Sequence, residues 1–118
     1  MSVSSLTLNL PVGSATFSFT PQAARELAAE LNGLLERSKA VSAEMTAGRP
    51  GKKSPQPPME YRYTGDVFLE VFCNPNIWPS PFAAKVLVTL RDDRIRISAE
   101  AELTRVLEDL SQYLERVA

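Results

Sequence analysis

Two stretches of this sequence pass from alternating polarity into a helical apolar stripe, and this pattern restricts the fold more than any other feature. Leucines alternate with polar residues over residues 6–10, and apolar and hydroxyl side chains alternate again over residues 15–19. Such alternation is the period of a strand that buries one face. Gly13 lies between the two segments and can adopt the positive φ of a tight turn. The sequence therefore predicts an antiparallel hairpin.

A helix is predicted to follow this hairpin. Thr20 can cap its first turn, Pro21 has no N–H to lose there, and the helix should continue to Val41. Its apolar residues recur at steps of three and four: Ala24, Leu27, Ala28, Leu31, Leu34 and Leu35. That spacing is typical of a helix that packs one face on a core and leaves the other in water.

Residues 47–59 have the composition of an exposed loop. They contain four of the nine prolines and no acidic residue, and nothing large and apolar precedes Met59. Such a segment cannot bury enough apolar surface to fold by itself. We expect a basic, proline-rich loop within the domain.

The C-terminal half repeats the order of hairpin and helix. A strand is predicted over residues 67–73, and a second hairpin over residues 84–90 and 94–98. Ser98 can cap the closing helix, with Glu100 and Glu102 in its first turn, where negative charge suits the helix dipole. The inner stripe of this helix comprises Leu103, Val106, Leu107, Leu110, Leu114 and Val117.

The predicted order of elements is ββα followed by βββα, which indicates an α+β fold. We expect residues 1–118 to form a single domain, with an antiparallel sheet of about five strands, two helices packed on one face and the other face open. A chain of 118 residues with 44% apolar residues can bury one core. Cys73 is the single cysteine, which excludes an internal disulfide, and no signal peptide or membrane span is apparent. A cytoplasmic protein without a membrane partner is expected.

The composition argues against catalysis. The sequence has no histidine, which removes the usual general base at neutral pH, and one cysteine cannot build a Cys/His zinc site. Residues 48–54 do not have the spacing of a phosphate-binding loop. Two pairs of carboxylates are adjacent in sequence, Asp92 with Asp93 and Glu108 with Asp109, and we expect both pairs on the solvated surface. We therefore expect no enzyme activity, no catalytic residue, no cofactor and no metal.

Residues 74–82 are the most distinctive candidate for binding. Ile77, Trp78 and Phe82 stand among three prolines, which restrict the conformers of the segment, and Trp is enriched at binding hot spots. With Tyr61 and Tyr63 they form the predicted partner-binding set, at which another protein or its peptide tail would dock by strand addition or in an apolar groove. The alternative is that Trp78 folds back and caps the core.

A second hypothesis places single-stranded nucleic acid on the open sheet face. Arg62, Lys85, Arg94 and Arg96 would supply the positive charge, with tyrosines nearby for stacking. Acidic residues close in sequence, Glu60 and Glu70 among them, would neutralise much of it, and the net charge of -1 gives no general attraction for phosphate. The alternative is that this face binds nothing and its charged residues only keep the sheet soluble.

Residues 74–115 resemble the C-terminal half of small conserved cyanobacterial proteins. Together with the chain's size, its lack of catalytic groups and its proline-rich loop, this makes the chain similar to the carboxysome shell-assembly chaperone. That family is a small α+β protein that binds the C-terminal tail of a shell subunit. The resemblance implies an assembly function, a homodimer and a peptide partner, and it transfers no binding residue to this chain.

Overall fold

The computed structural model describes residues 4–46, 57–75, 78 and 83–117, with the side chains of the first range described as far as Arg37. These residues form six strands and two helices. In chain order they are β1 (Ser5–Leu10), β2 (Gly13–Ser18), α1 (Pro21–Thr46), β3 (Met59–Thr64), β4 (Phe68–Cys73), β5 (Lys85–Arg91), β6 (Arg96–Glu102) and α2 (Leu103–Val117). The α+β fold class is confirmed. Most of the predicted proline-rich loop, residues 47–56, lies outside the described residues.

The N-terminal hairpin and the start of α1 follow the sequence prediction. β1 and β2 pair antiparallel, and Gly13 has a φ of +156°, a conformation that L side chains rarely adopt. The hydroxyl of Thr20 accepts a hydrogen bond from the Ala23 N–H at 3.1 Å, as an N-cap does. The helix continues to Thr46, five residues beyond the predicted end.

The predicted single sheet of about five strands is not confirmed. The structure has a two-stranded sheet, β1-β2, and a four-stranded antiparallel sheet in the order β3-β4-β5-β6. The difference arises in residues 59–64, where the sequence predicts no separate strand and the structure forms β3, which pairs with β4 across the turn at Gly65. The order is therefore ββα followed by ββββα.

The boundary between β6 and α2 also differs from the prediction. Ser98 does not cap a helix, because it pairs with Thr89 in the sheet, and Glu100 and Glu102 belong to β6. Ala101 is fully buried between these two exposed glutamates, so the segment obeys the two-residue period of a strand. α2 begins only at Leu103, whose N–H donates to the Ala84 carbonyl at 3.0 Å.

One hydrophobic core joins both sheets and both helices. α1 contacts β3, α2 contacts β1 and β6, and the helices contact each other. The core residues with at most 2% exposure include Leu6, Leu8, Phe19, Leu27, Leu31, Leu34, Leu69, Val71, Val86, Val106 and Leu110. Their burial supplies most of the stabilisation, at about 25 cal/mol per Å² of apolar surface. The inner face of the four-stranded sheet is buried except at the start of β6, where Ile97 is 44% exposed, and the alternate residues of its strands form an outer face.

Candidate functional site

The outer face of the four-stranded sheet consists of the side chains that alternate with the buried ones. They are Glu60, Arg62 and Thr64 of β3, Phe68, Glu70 and Phe72 of β4, Lys85, Leu87, Thr89 and Arg91 of β5, and Arg96, Ser98, Glu100 and Glu102 of β6. Phe72 is 36% exposed and Leu87 is 45% exposed. Large apolar side chains at the centre of a face stand out because the surrounding positions are polar.

These two apolar side chains lie opposite each other on the central strands. Phe72 of β4 pairs with Leu87 of β5, Glu60 lies opposite Phe72 on one side, and Glu100 lies opposite Leu87 on the other. A cross-strand row of the outer face therefore has an apolar centre and a carboxylate at each end. Side chains opposed in this way are close enough to form one continuous surface.

Positive and negative charges balance on the outer face. Its basic residues are Arg62, Lys85, Arg91 and Arg96, and its acidic residues are Glu60, Glu70, Glu100 and Glu102. Arg62 pairs with Glu70 at 3.0 Å, and the guanidinium of Arg91 lies 4.3 Å from the centre of the Phe68 ring. A face with four charges of each sign has no net attraction for phosphate.

The structure separates the residues of the nucleic-acid hypothesis. Arg62, Lys85 and Arg96 share the outer face, whereas Arg94 lies in the turn between β5 and β6, where its N–H donates to the Asp92 carboxylate at 2.8 Å. A second N–H, that of Ile95, donates to the same oxygen, and these bonds lower the pKa of Asp92. Asp92 is therefore a turn-stabilising residue.

Tyr61 and Tyr63 face away from the outer face. Tyr61 is 9% exposed, and its hydroxyl donates to the Ala23 carbonyl at 3.3 Å. The half-buried ring of Tyr63 packs edge-on against Phe19, with 4.8 Å between ring centres. The two tyrosines are thus on the helix side of β3, and they provide no stacking surface beside Arg62.

Trp78 lies beside Cys73 at one corner of the core, within electrostatic range of Arg37, and we call this place the Trp78 corner. Trp78 is half-buried and packs against the core, and its indole Nε1 lies beside the Cys73 thiol, although the contact falls short of hydrogen-bond geometry. Cys73 is 2% exposed and ends β4 opposite Met59. Ile77 and Phe82, the other predicted binding residues of this segment, lie outside the described residues.

The Trp78 corner does not activate its thiol. Burial raises the pKa of Cys73, and the smaller influences of the Trp78 indole and the Arg37 guanidinium act in the opposite direction. A thiol that is buried and protonated at neutral pH is a poor nucleophile. Cys73 accordingly serves as a small apolar side chain of the core.

Cys73 is expected to react slowly with iodoacetamide at pH 8 in the folded protein. Because its exposure is 2%, the rate should rise by about two orders of magnitude in guanidinium chloride, where the thiol is accessible and its pKa is normal. Trp78→Ala should raise the native rate several-fold, and Val12→Ala, at an exposed turn far from the thiol in sequence, should not. Mass spectrometry of timed samples measures each rate, and fast native labelling would contradict the buried position.

A buried carboxylate that the sequence does not reveal joins α2 to β1. Asp109 was expected on a solvated surface with Glu108, but it is 3% exposed. Its two oxygens accept hydrogen bonds from the N–H and the side-chain amide of Asn9, both at 2.8 Å, and Arg105 Nε lies 3.4 Å from Oδ1. The signal in the sequence is its helical position, three residues after Val106 and one before Leu110, on the buried face of α2.

A groove of about 540 Å³ between the helices is lined by Ala28, Asn32, Leu107, Ser111, Leu114 and Glu115, so it contains a single carboxylate. Among the described residues no group of three or more Cys, Asp or Glu could hold a metal ion.

Neither described helix combines the length and the apolar character that crossing a membrane requires. A scan against protein-family models and searches of curated proteins and of solved structures find no match to this chain.

Proposed function

We propose that this protein is a non-enzymatic binding or assembly module that captures an extended segment of a partner protein along the free edge of β3, beside the Trp78 corner. The observation that carries the proposal is the position of β3. It is the outermost strand of its sheet, and no described strand pairs with its second edge. Strand addition at such an edge gives affinity through main-chain hydrogen bonds, and neighbouring side chains give specificity.

The Trp78 corner lies at the start of this edge. Met59, the first residue of β3, pairs with Cys73, and the indole of Trp78 contacts the Cys73 thiol. The Trp78 ring is half-buried, so its exposed part would add apolar contact to a segment bound at that end of the strand.

Charge along β3 indicates what the partner segment carries. The exposed residues of this strand are Glu60, Arg62 and Thr64, and Arg62 is already paired with Glu70. Glu60 forms no ion pair within the described part of the chain, so a basic residue opposite it would be stabilised. Charged residues on an edge also discourage unspecific pairing, and only a complementary segment overcomes them.

The proposal includes a peptide tail as the partner and the cytoplasm as the compartment. The chain's size, its lack of catalytic groups and its proline-rich loop are similar to those of a chaperone that binds the C-terminal tail of a carboxysome shell subunit, and this similarity favours such a tail. The competing hypothesis, single-stranded nucleic acid, receives less support, because the outer face balances four basic residues with four acidic ones and the tyrosines lie on its opposite side.

The proposal is tested by comparative affinity capture from the cells that express the protein naturally. Tagged wild type, Trp78→Ala and Glu60→Lys serve as baits, and Val12→Ala is the matched control, because Val12 is 89% exposed at the tip of the first hairpin. We expect one partner to be reduced at least tenfold by Trp78→Ala and by Glu60→Lys and to be retained by Val12→Ala. Quantitative mass spectrometry measures the amounts, and circular dichroism checks folding.

Two results would contradict the proposal. Equal capture by wild type and Glu60→Lys would exclude the β3 edge, because Glu60 is exposed and its replacement leaves the core intact. Binding of a labelled single-stranded oligonucleotide that weakens steeply with rising salt would favour the nucleic-acid hypothesis instead. A strongly lowered melting temperature in Trp78→Ala would assign Trp78 to the core. The amount of partner captured by Glu60→Lys would then be the test of binding at the β3 edge.

A further inference from the structure

We propose that the outer face of the four-stranded sheet docks an amphipathic helix of a partner protein, acidic in its first turn and basic in its last turn. The inference is independent of the proposed capture of an extended segment, because it concerns the face of the sheet and leaves the β3 edge free. It rests on the order in which charged and apolar side chains follow each other across and along the strands.

The charges of the outer face are separated along the strand direction. One row across the strands, which we call the acidic row, has a carboxylate at each end and consists of Glu60, Phe72, Leu87 and Glu100. A second row, which we call the basic row, lies four residues away along every strand and consists of Thr64, Phe68, Arg91 and Arg96. At about 3.3 Å per residue the two rows are about 13 Å apart. The face is therefore acidic toward one end and basic toward the other.

The remaining charges of the face do not alter this separation. Arg62 and Glu70 lie in the row between the acidic and basic rows and form an ion pair at 3.0 Å. Lys85 lies opposite Glu102 in the row beyond the acidic row. A partner with charges of one sign, such as a nucleic acid, would be attracted by one row and repelled by the other. The face thus favours a partner that carries both signs of charge, about 13 Å apart.

The apolar side chains show in which direction such a partner lies. Phe68 and Phe72 are four residues apart on β4, so a partner that contacts both rings runs along this strand. Leu87 of β5 widens the apolar surface beside Phe72. An α-helix is about 10 Å wide, which is the width of two neighbouring strands. A helix over β4 and β5 therefore has β3 on one flank and β6 on the other.

A helix fits this surface better than an extended segment or a second sheet does. The main-chain groups of β4 and β5 are already paired within the sheet, so an extended segment lying on the face finds no main-chain partners there. A second sheet would also cover the outer strands and bury the carboxylates of Glu60 and Glu100, which is costly unless counter-charges meet them. Beside a helix both carboxylates stay at the rim, where a lysine or arginine reaches them with its charged end in water.

The charges that stabilise a helix by itself are those that this face requires. Acidic residues in the first turn and basic residues in the last turn complement the helix dipole. A helix with this charge order places its first turn over the basic row and its last turn over the acidic row. Because the rise is 1.5 Å per residue, the distance between the rows corresponds to about nine residues, and the helix needs about three to four turns. Apolar residues at positions i, i+4 and i+7 then face the apolar surface of β4 and β5.

The size of the face indicates a transient complex. Four strands spaced about 4.8 Å apart and about seven residues long cover roughly 19 by 23 Å. A helix on two of these strands buries less than the roughly 1,200 Å² at which stable interfaces begin, and weak or transient complexes occupy this lower range. We expect a dissociation constant on the order of 1 to 100 μM.

The test is a selection from a phage-displayed library of peptides about 14 residues long. Apolar residues are fixed at positions i, i+4 and i+7 of a helix, and the charged positions of the first and last turns are random among Asp, Glu, Lys and Arg. Immobilised wild-type protein should enrich peptides with acidic residues in the first turn and basic residues in the last. Fluorescence anisotropy of the enriched peptides, synthesised with a label, measures their dissociation constants.

Three variants show whether these peptides bind at the outer face. Leu87→Glu should raise the dissociation constant of an enriched peptide at least about tenfold, because it removes an apolar side chain from the centre of the acidic row. Glu100→Lys should raise it about fivefold and, in a selection of its own, should enrich peptides with an acidic residue in the last turn. Glu115→Lys, which replaces an exposed carboxylate of α2, is the matched control and should bind as wild type does. Circular dichroism checks the folding of each variant.

Any of three results would overturn the inference. The first is a selection on wild type that enriches no peptide, or peptides without the stated charge order. The second is binding that neither Leu87→Glu nor Glu100→Lys weakens; if Leu87→Glu does not fold, Glu100→Lys alone decides. The third is loss of binding in Glu115→Lys, which would place the peptide in the groove between α1 and α2. None of these variants alters β3, so each result leaves the proposed β3 edge to its own experiment.

Discussion

Replacement of Asp109 by alanine is expected to lower the free energy of unfolding by about 2 to 3 kcal/mol. The Asp109 carboxylate is 3% exposed, and it accepts two hydrogen bonds of 2.8 Å from Asn9. Its removal leaves the Asn9 N–H and side-chain amide without their protein acceptor, beside a partly open pocket whose lining includes Tyr113 and Arg116. Arg105 loses the carboxylate at 3.4 Å and keeps that of Glu108 at 3.5 Å. These effects act together because the same contacts hold β1 against α2.

Urea denaturation followed by circular dichroism measures this loss. Glu108→Ala is the matched control, because Glu108 is the neighbouring, exposed carboxylate on the same helix. A double-mutant cycle with Asn9→Ala isolates the coupling between the two side chains, which should exceed about 1 kcal/mol. Equal stability of the Asp109 and Glu108 variants would show that Asp109 is solvated, as its sequence neighbourhood suggests.

Elements specified by local chemistry were predictable. The hairpin of β1 and β2 needs alternating leucines and a glycine at the turn, and the start of α1 needs the Thr20 hydroxyl, all of which lie within a few residues of where they act. A cap or a turn is a short-range interaction, so its residues identify it without knowledge of the remaining fold.

The strand β6 was not predictable from the composition of its second half. Residues 99–102 are alternating alanine and glutamate, which are good helix formers, and the sequence therefore favours an early start of α2. Pairing with β5 along all seven residues outweighs that preference, because it buries Ala101 completely and leaves Glu100 and Glu102 in water. Tertiary pairing of this kind overrides a weak local propensity.

The turn at Gly65 was missed for a different reason. Tyr61 and Tyr63 are aromatic on one side of β3, whereas Arg62 is polar on the other, and the segment looks like an extension of the strand that follows it. An added Cβ at Gly65 would lie 2.6 Å from Cζ and 2.9 Å from Cε2 of Tyr63. A side chain at Gly65 would therefore collide with the Tyr63 ring unless that ring moved, and the ring is held by its packing against Phe19, which is distant in sequence.

The candidate site was also only partly predictable from the sequence. Tyr61 and Arg62 are adjacent, and adjacent residues of a strand point to opposite faces, so they cannot belong to one stacking platform. That exclusion was available from the sequence. Which of the two faces the helices cover was not, because a shift of one residue in register exchanges the faces. The position of the Trp78 indole, half-buried beside Cys73, likewise depends on packing against a core whose members are distant in sequence.

The protein is expected to lose stability between pH 10 and pH 12 through the ionisation of Tyr61. Burial, followed by the negative charges of Glu26 and ionised Tyr63, raises the pKa of Tyr61 to about 12. In the unfolded chain the phenol ionises near pH 10, so above that pH the unfolded state binds fewer protons than the folded state. The stabilisation is complete below pH 10 and is lost as the pH rises through 12, by about 2 to 3 kcal/mol.

Absorbance at 295 nm during an alkaline titration measures the ionisation, and urea denaturation at each pH measures the stability. Tyr61→Phe should flatten the decline between pH 10 and 12, because the group that releases the proton on unfolding is gone, and it should lower the stability at pH 7 by only about 1 kcal/mol through loss of the bond to Ala23. A Tyr61 phenol that titrates near pH 10 in the folded protein would instead lie in water. Tyr61 would then be accessible to a partner at the β3 edge, and the assignment of this side chain to the core would be wrong.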